Sequence, residues 1–305
     1  MYRYHAFGLL IASEWPLPEL PPASSCQADI PDLSIKLADI RDPFPAKDAP
    51  PEFDYDDPLG TTMVWPFVGA FRISNPGLIE IQPAPGAEPD YIAFPLLGPV
   101  MGWLLHVRGR LVLHGSALSW RGKTIGFLGD KMAGKSTTAG AFLANGGSLL
   151  TDDLLVFACD GPGSPTVLPA FAQLKLSDES AEAICLADGE ALPLVMEGFP
   201  KRQHRLSKLA PPPDRIDALF VLDRRTGDCV VDWLPQPDAL TKLLRFSYNV
   251  RFANAPLAMQ NRKRHFEQCA AMARFIPVGI LSVPDDLTRL DEVTEFVARI
   301  LDAAP

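Results

Sequence analysis

The segment from Gly129 to Ser136 has residue types and spacing suited to holding a polyphosphate. It runs Gly-Asp-Lys-Met-Ala-Gly-Lys-Ser and fits the pattern G-x-x-x-x-G-K-[S/T]. Glycines let the backbone curl so that its N–H groups, and the amino terminus of the following helix, face the phosphates. In such a loop Lys135 reaches the β- and γ-phosphate oxygens, and the Ser136 hydroxyl ligates Mg²⁺. The residues predicted to contact the nucleotide are Gly129, Asp130, Lys131, Met132, Ala133, Gly134, Lys135, Ser136 and Thr137.

Two adjacent carboxylates follow this loop at a spacing that suits phosphoryl transfer. Asp152 and Asp153 lie 17 and 18 positions after Lys135. Phosphoryl transfer needs metal-held charge on the transferred group and a positioned acceptor hydroxyl. One carboxylate could ligate Mg²⁺ while the other accepts the proton of the attacking hydroxyl. The alternative is one metal ligand beside a helix-capping or surface residue, and the residues alone leave both open.

A histidine and a basic cluster are candidate site residues, but each can also be explained by an ordinary structural role. His114 lies in an apolar stretch, where a histidine is usually a satisfied core residue. Gly115, beside it, is expected to leave room for another group to approach closely. A basic segment in an acidic chain could fold over the triphosphate and offset charge in the transition state, or it could be a solvated surface turn. The basic residues are Lys201, Arg202 and Arg205.

The elements that must position these residues follow one another along the chain. Residues 124–128 are a predicted strand, and residues 136–145 are a predicted helix that stops at Gly146. A short apolar strand at residues 149–150 then leads into Asp152. Ligands bind at the carboxyl ends of such strands, so the order strand, loop, helix, strand and acidic pair predicts a nucleotide site.

The composition of the chain predicts an α/β protein with two domains. Its 305 residues exceed one typical domain of about 100 to 150 residues. Many of the 31 prolines fall in the first third, which favours strands and loops over long helices. We therefore expect a β-rich amino-terminal domain over residues 1–95 and a catalytic domain over residues 96–305. The apolar stretch at residues 91–107 is interrupted by Pro and Gly, and we expect a buried element that joins the domains.

Charge and cysteine content narrow the expected partners and compartment. A net charge of −9 argues against a nucleic-acid partner or an anionic membrane surface, because phosphate groups are bound through excess Lys and Arg. The five cysteines contain no C-x-x-C pair, which fits a reduced protein without structural zinc. They are Cys26, Cys159, Cys185, Cys229 and Cys269. The chain opens without the apolar core of a signal peptide, so we expect a cytoplasmic protein.

His114-Gly115, a hairpin turn predicted at Arg121-Gly122-Lys123, the glycine loop and the aspartate pair stand in this order within residues 108–157. Their order and spacing resemble the catalytic domain of the HPr serine kinase/phosphorylase family. The likeness implies a PEP-carboxykinase-like P-loop kinase fold, ATP and Mg²⁺ as cofactors, and transfer to a serine hydroxyl. The residue roles that it implies are Asp152 as base, Asp153 and Ser136 as metal ligands, and His114 as a neighbour that tunes the aspartates. Lys135, by its place in the glycine loop, is a further catalytic candidate.

The chain departs from true HPr kinases in ways that bear on its acceptor. Lys131-Met132 replaces the usual Ser-Gly, and neither the Glu-x-Arg-Gly segment nor the carboxyl-terminal signature of that family has a counterpart. The opening segment, residues 7–18, looks more like the HPr-kinase-related proteins found with lasso-peptide genes, which phosphorylate a serine of a precursor peptide. A lasso-peptide precursor is therefore the expected peptide acceptor, and the chain could also form a homo-oligomer.

Other classes of protein share the glycine loop and stay open. The chain could be an HPr-type regulatory serine kinase/phosphorylase, another P-loop phosphotransferase or hydrolase, or a nucleotide-gated P-loop interaction protein. A GTPase-like switch is disfavoured because the chain has no Asn-Lys-x-Asp motif. The short D-x-x-G pattern at residues 160–163 is weak evidence by itself.

Overall fold

The computed structural model of the chain describes residues 1–23, 30–159, 165–186, 189–194, 201–248 and 259–303. Within these residues the protein is mixed α/β, with its strands in several sheets. Cys26 and the D-x-x-G pattern at residues 160–163 lie outside the described residues.

Seven described strands in the first part of the chain form one sheet. They are β1 (Tyr2–Ala6), β2 (Leu9–Ser13), β3 (Leu33–Leu37), β4 (Glu52–Asp54), β5 (Thr61–Trp65), β6 (Gly69–Asn75) and β7 (Leu78–Pro83). Their order is β1-β2-β3-β7-β6-β5-β4, in which β3 is parallel to both neighbours and the other pairs are antiparallel. Prolines such as Pro31, Pro58 and Pro76 stand between strands, because proline cannot donate to a ladder.

A kinked helix, α1 (Pro89–Val107), links this sheet to the rest of the protein. The backbone leaves helical geometry at Gly98 (φ −103°, ψ −106°), next to Pro99, which cannot donate a helix hydrogen bond. By length and composition α1 is apolar enough to cross a membrane, and 72% of its most apolar window is buried inside the protein. Leu104 of α1 belongs to one buried hydrophobic cluster with Phe71 of the first sheet and Val156 beyond the helix.

The elements after α1 carry the predicted site. The strands are β8 (Leu111–Trp120), β9 (Lys123–Leu128), β10 (Ser148–Thr151), β11 (Leu154–Ala158), β12 (Thr166–Leu168), β13 (Gln173–Leu176), β14 (Gly189–Leu194), β15 (Arg202–Leu206), β16 (Ala218–Arg225), β17 (Val230–Trp233) and β18 (Val278–Pro284). The helices are α2 (Lys135–Ala144), α3 (Asp178–Ile184), α4 (Gln236–Arg245), α5 (Met259–Phe275) and α6 (Leu290–Asp302).

Eight of these strands form a central sheet with helices on both faces. The order is β12-β11-β8-β9-β16-β18-β17, with β10 paired to β8. Phe127 and Phe220 pack in one cluster with α2 and α6, whereas Leu128 and Leu219 pack in another with α4 and α5. Parallel strands covered on both faces are apolar on both faces, which explains the continuous apolar runs of β9 and β16. A smaller sheet has the order β13-β15-β14.

The local elements around the glycine loop match their sequence predictions within a residue or two. The strand β9 covers predicted residues 124–128, α2 covers most of 136–145, and β10 includes 149–150. Gly146 follows the helix with a φ of 84°, a left-handed conformation that glycine adopts readily at helix ends. The glycine loop therefore leaves a strand and enters a helix, as the pattern requires.

A buried histidine pair joins α1 to α5. His106 is 5% exposed, and its ring centroid lies 5.7 Å from that of His265. The Nε2 atom of His106 has no hydrogen-bond partner among the described residues. Burial, with the nearby His265 and Arg264, lowers the pKa of His106 to about 4. Burial also lowers the pKa of His265.

Acid should destabilise the fold through His106. Between the ordinary histidine pKa of 6.5 and about 4, the unfolded chain binds a proton that the folded chain does not, so stability falls as the pH falls through this range. We expect this group to cost about 2 kcal/mol of unfolding free energy between pH 7 and pH 5, measured by urea denaturation. His106→Gln should flatten the dependence, whereas His5→Gln, at an exposed histidine, should not. An equally steep loss in both variants would contradict the prediction.

Candidate active site

The glycine loop between β9 and α2 holds its lysine in the loop interior. Met132 and Gly134 have positive φ angles of 70° and 90°, so the chain curls before the helix begins at Lys135. The Lys135 ammonium donates hydrogen bonds to the carbonyl oxygens of Gly129 (3.0 Å) and Asp130 (2.9 Å). Lys135 is 7% exposed, so its charge is directed into the loop rather than into bulk solvent.

The carboxylate of Asp152 lies against the first turn of α2. It accepts a hydrogen bond from the Ser136 hydroxyl, which lies 3.0 Å from each carboxylate oxygen. The Ser116 hydroxyl donates to the same carboxylate at 2.6 Å, and the backbone N–H of Lys175 donates at 3.0 Å. Asp152 is 8% exposed, and these three donors offset the cost of burying a polar group.

The next residue, Asp153, directs its carboxylate to other partners. Its φ of 74° lies in the left-handed region that non-glycine residues rarely adopt. Its Oδ1 lies 3.1 Å from His114 Nδ1, and its Oδ2 lies 3.1 Å from the Lys175 ammonium. The Nδ1 of His114 also lies 3.3 Å from the Asp153 carbonyl oxygen. This backbone conformation gives two adjacent aspartates different surroundings.

Lys175, on β13, contacts both aspartates and was not among the predicted residues. Its backbone N–H donates to the first aspartate and its ammonium pairs with the second, while the ammonium also lies 5.1 Å from the ring centroid of Phe94 in α1. The flanking Leu174 and Leu176 are buried, so strand alternation turns Lys175 to the opposite face. That alternation is the sequence signal that could have indicated Lys175. No comparable signal marks Ser116, a buried serine in an apolar strand.

The position of β8 between its neighbours fixes the backbone at His114 and requires a glycine at residue 115. The His114 N–H donates to the Phe246 carbonyl oxygen at 2.8 Å, and its ring meets that of Tyr248 edge-on, with 6.1 Å between centroids. The close approach expected at Gly115 is made by backbone, because a β-carbon there would lie 2.6 Å from the Phe127 carbonyl oxygen. The absent side chain admits the neighbouring strand β9.

These side chains line one cleft of about 760 Å³. Predicted residues that line it are His114, Gly129, Asp130, Lys131, Met132, Gly134, Lys135, Ser136, Asp152, Asp153 and Lys201. The described lining carries five Lys or Arg side chains and three carboxylates, so the cleft is positive in a chain with a net charge of −9. Such a cleft attracts anions. The predicted Ala133 and Thr137 do not line it, and the Thr137 hydroxyl lies 3.0 Å from that of Ser180.

The basic cluster predicted to cover the triphosphate is divided in the structure. Lys201 lines the cleft. Arg202 forms an ion pair with Asp178 at 2.9 Å, and Arg205 lies 3.5 Å from Glu190, and neither arginine lines the cleft. Lys201 is therefore the member of the cluster that is placed to meet an anion in the cleft.

Ser136 and Asp152 offer a donor set that fits Mg²⁺. Among the described residues, no group of three or more His, Cys, Asp and Glu side chains could hold a metal ion by itself. At phosphate sites, however, Mg²⁺ is usually held by one or two carboxylates together with water and phosphate oxygens. A hydroxyl and a carboxylate 3.0 Å apart, beside a glycine loop, match that requirement.

Gly115→Ala should destabilise the protein because the added methyl group would meet the Phe127 carbonyl oxygen and, at 2.8 Å, the Leu128 side chain. We expect a loss of about 1 to 3 kcal/mol of unfolding free energy, measured by urea denaturation. The control is Gly77→Ala, where the nearest neighbour of a β-carbon would lie at 3.4 Å and the change should stay within about 0.5 kcal/mol. Equal losses at the two positions would refute the packing role of Gly115.

No family model matches the chain, and no curated protein matches it. Among solved structures, the chain is similar to the HPr(Ser) kinase/phosphatase from Coxiella burnetii. The sequence identity is 10% and the TM-score is 0.29, with 63% of this chain and 99% of that chain covered. What the site can do is therefore inferred from its own side chains.

Proposed function

We propose that this protein is an ATP- and Mg²⁺-dependent kinase that transfers a phosphoryl group to a serine hydroxyl of a peptide or protein. The observation that carries the proposal is the division of two adjacent aspartates within one positive cleft. The Asp152 carboxylate accepts a hydrogen bond from the Ser136 hydroxyl beside the glycine loop. The Asp153 carboxylate contacts the His114 ring and the Lys175 ammonium. One carboxylate is thus available for the metal and the other for the acceptor, which are the two tasks of a phosphoryl transfer.

The glycine loop is the proposed binding site of the triphosphate. Backbone N–H groups of such a loop and the amino end of α2 favour anionic oxygens. The Lys135 ammonium donates to two carbonyl oxygens of the loop, those of Gly129 and Asp130. Phosphate oxygens are stronger acceptors than neutral carbonyl oxygens, so a bound triphosphate would take over these hydrogen bonds.

Ser136 and Asp152 are the proposed protein ligands of Mg²⁺. Their oxygen atoms lie 3.0 Å apart, and donors from Ser116 and Lys175 hold the carboxylate in place. When bound, Mg²⁺ neutralises charge on the phosphate oxygens of ATP. The likeness to HPr kinases assigns the metal to Asp153 and the proton to Asp152, whereas these contacts favour the reverse assignment.

Asp153 is the proposed base for the acceptor serine. His114 orients one of its carboxylate oxygens, and the Lys175 ammonium balances its charge from the other. The serine hydroxyl gives its proton to this carboxylate as its oxygen attacks the terminal phosphorus of ATP. The bond from that phosphorus to the bridging oxygen breaks, and ADP leaves.

A peptide serine is the proposed acceptor, with a lasso-peptide precursor as the first candidate. The segment that carries this likeness, residues 7–18, packs through Phe7 and Leu17 into the buried cluster of α1. Phe94 of the same helix lines the cleft beside Lys175. One helix therefore connects the first sheet to the side of the cleft where the acceptor would enter.

Intact-mass spectrometry of reactions with ATP and Mg²⁺ tests the reaction. The precursor peptide encoded beside the gene and an HPr protein are offered side by side. We expect a gain of one phosphate on the precursor peptide and none on a control peptide whose serines are replaced by alanine. A gain on HPr alone would assign the protein to HPr-type regulatory kinases. With nucleotide bound, no gain on either would overturn both candidate acceptors and favour an unknown acceptor or a nucleotide-gated interaction protein.

Single substitutions separate nucleotide binding from transfer. Asp153→Asn should slow transfer about 100-fold or more and leave the affinity for Mg²⁺-ATP unchanged, because it removes the base alone. Asp152→Asn should weaken both the Mg²⁺-dependent part of binding and transfer, and Lys135→Ala should weaken both as well. Binding is measured by calorimetry with a non-hydrolysable ATP analogue, and transfer by mass spectrometry.

The control for these variants is Asp232→Asn, at an exposed position of β17 outside the cleft, which should change neither quantity. Retained transfer in Asp153→Asn, with transfer lost and binding intact in Asp152→Asn, would restore the assignment implied by the family likeness.

A further inference from the structure

We propose that Arg245 binds the terminal phosphate of the nucleotide and that Asp130 holds the arginine in place until the nucleotide arrives. This role rests on the function proposed above and goes beyond it, since no sequence pattern marks Arg245. Arg245 is the last residue of α4 and lines the cleft. Its guanidinium lies 2.7 Å from the Asp130 carboxylate in the glycine loop.

The backbone next to Arg245 is fixed against the strand that carries His114. The carbonyl oxygen of Phe246 accepts the His114 N–H at 2.8 Å, and Ser247 forms a bridge to Leu113. The end of α4 is therefore anchored beside the histidine that contacts Asp153. For transfer to occur, the terminal phosphate must lie between the glycine loop and the acceptor base, and the anchored end of α4 borders this space.

The ion pair between Arg245 and Asp130 is weak enough for a phosphate group to replace Asp130 as the partner of the arginine. The Arg245 side chain is 56% exposed and that of Asp130 is 68% exposed. Exposed ion pairs contribute little to stability, because solvent screens them and two side chains must be ordered. A phosphate group carries more charge and presents several oxygens to the planar guanidinium, which binds such groups in a bidentate manner. Bound triphosphate is thus the stronger partner.

Asp130 also connects Arg245 to the catalytic lysine. The backbone carbonyl oxygen of Asp130 accepts from the Lys135 ammonium at 2.9 Å, while its side chain holds Arg245. The Lys135 ammonium and the Arg245 guanidinium are therefore both hydrogen-bonded to one residue of the loop, Asp130. A nucleotide that attracts both would place them on the same end of the triphosphate, where charge develops during transfer.

The test compares two nucleotides in calorimetric titrations with Mg²⁺: a non-hydrolysable ATP analogue and ADP, which lacks the terminal phosphate. Arg245→Ala should weaken binding of the analogue about tenfold and that of ADP less than about twofold. The control is Arg215→Ala, which removes an exposed arginine paired with Asp217 at 3.0 Å. Asp217 accepts from the N–H of Thr124, at the end of β9 away from the loop, so the control should change neither affinity.

Asp130→Asn provides a second, independent variant that leaves Arg245 in place. Releasing the arginine should raise the preference for the analogue over ADP about threefold. An unchanged preference in both Arg245→Ala and Asp130→Asn would overturn the role of Arg245. If the wild type then still transferred phosphate, the kinase proposal would stand without it. A wild-type protein that binds neither nucleotide would overturn both.

Discussion

The carboxylate of Asp152 accepts hydrogen bonds from three separate elements of the fold. Ser116 comes from β8, Ser136 from the first turn of α2, and the N–H of Lys175 from β13. A hydrogen bond to a charged group contributes about 1.5 to 3 kcal/mol, and a buried carboxylate without donors is strongly disfavoured. The central sheet, the helix after the glycine loop and the small sheet are therefore fixed relative to one another at this carboxylate. The rest of the site depends on that arrangement.

The left-handed backbone at Asp153 makes the two aspartates different. For a residue other than glycine, this conformation costs about 1 to 2 kcal/mol, and it persists where surrounding contacts determine it. Here the contacts are those with His114 and Lys175. In the proposed reaction, these contacts let two residues that are neighbours in sequence serve the metal and the acceptor separately. Lys175 couples the two, since its backbone holds one aspartate and its side chain holds the other.

The glycine loop and its flanking elements could be predicted because they depend on residues close together in sequence. Strand alternation indicates that the Lys175 side chain leaves the core but not which residues it contacts, because Lys175 lies 23 positions from Asp152. Arg245 carries no such signal and lies 115 positions from its partner Asp130. At Gly115 the sequence predicts a close approach but not the group that makes it. A missing side chain can admit a strand as well as a ligand, and the sequence does not distinguish them. Nor does the spacing of two aspartates reveal a positive φ at the second.

The proposed roles of Asp152 at the metal and Asp153 at the acceptor can be tested by a crystal structure with Mn²⁺ in place of Mg²⁺ and a non-hydrolysable ATP analogue. The anomalous signal of Mn²⁺ locates the ion. We expect a peak within coordination distance of the Ser136 hydroxyl, an Asp152 carboxylate oxygen and the phosphate oxygens, with Asp153 facing the terminal phosphate. A peak coordinated by Asp153 in place of Asp152, or a nucleotide bound away from the glycine loop, would contradict it.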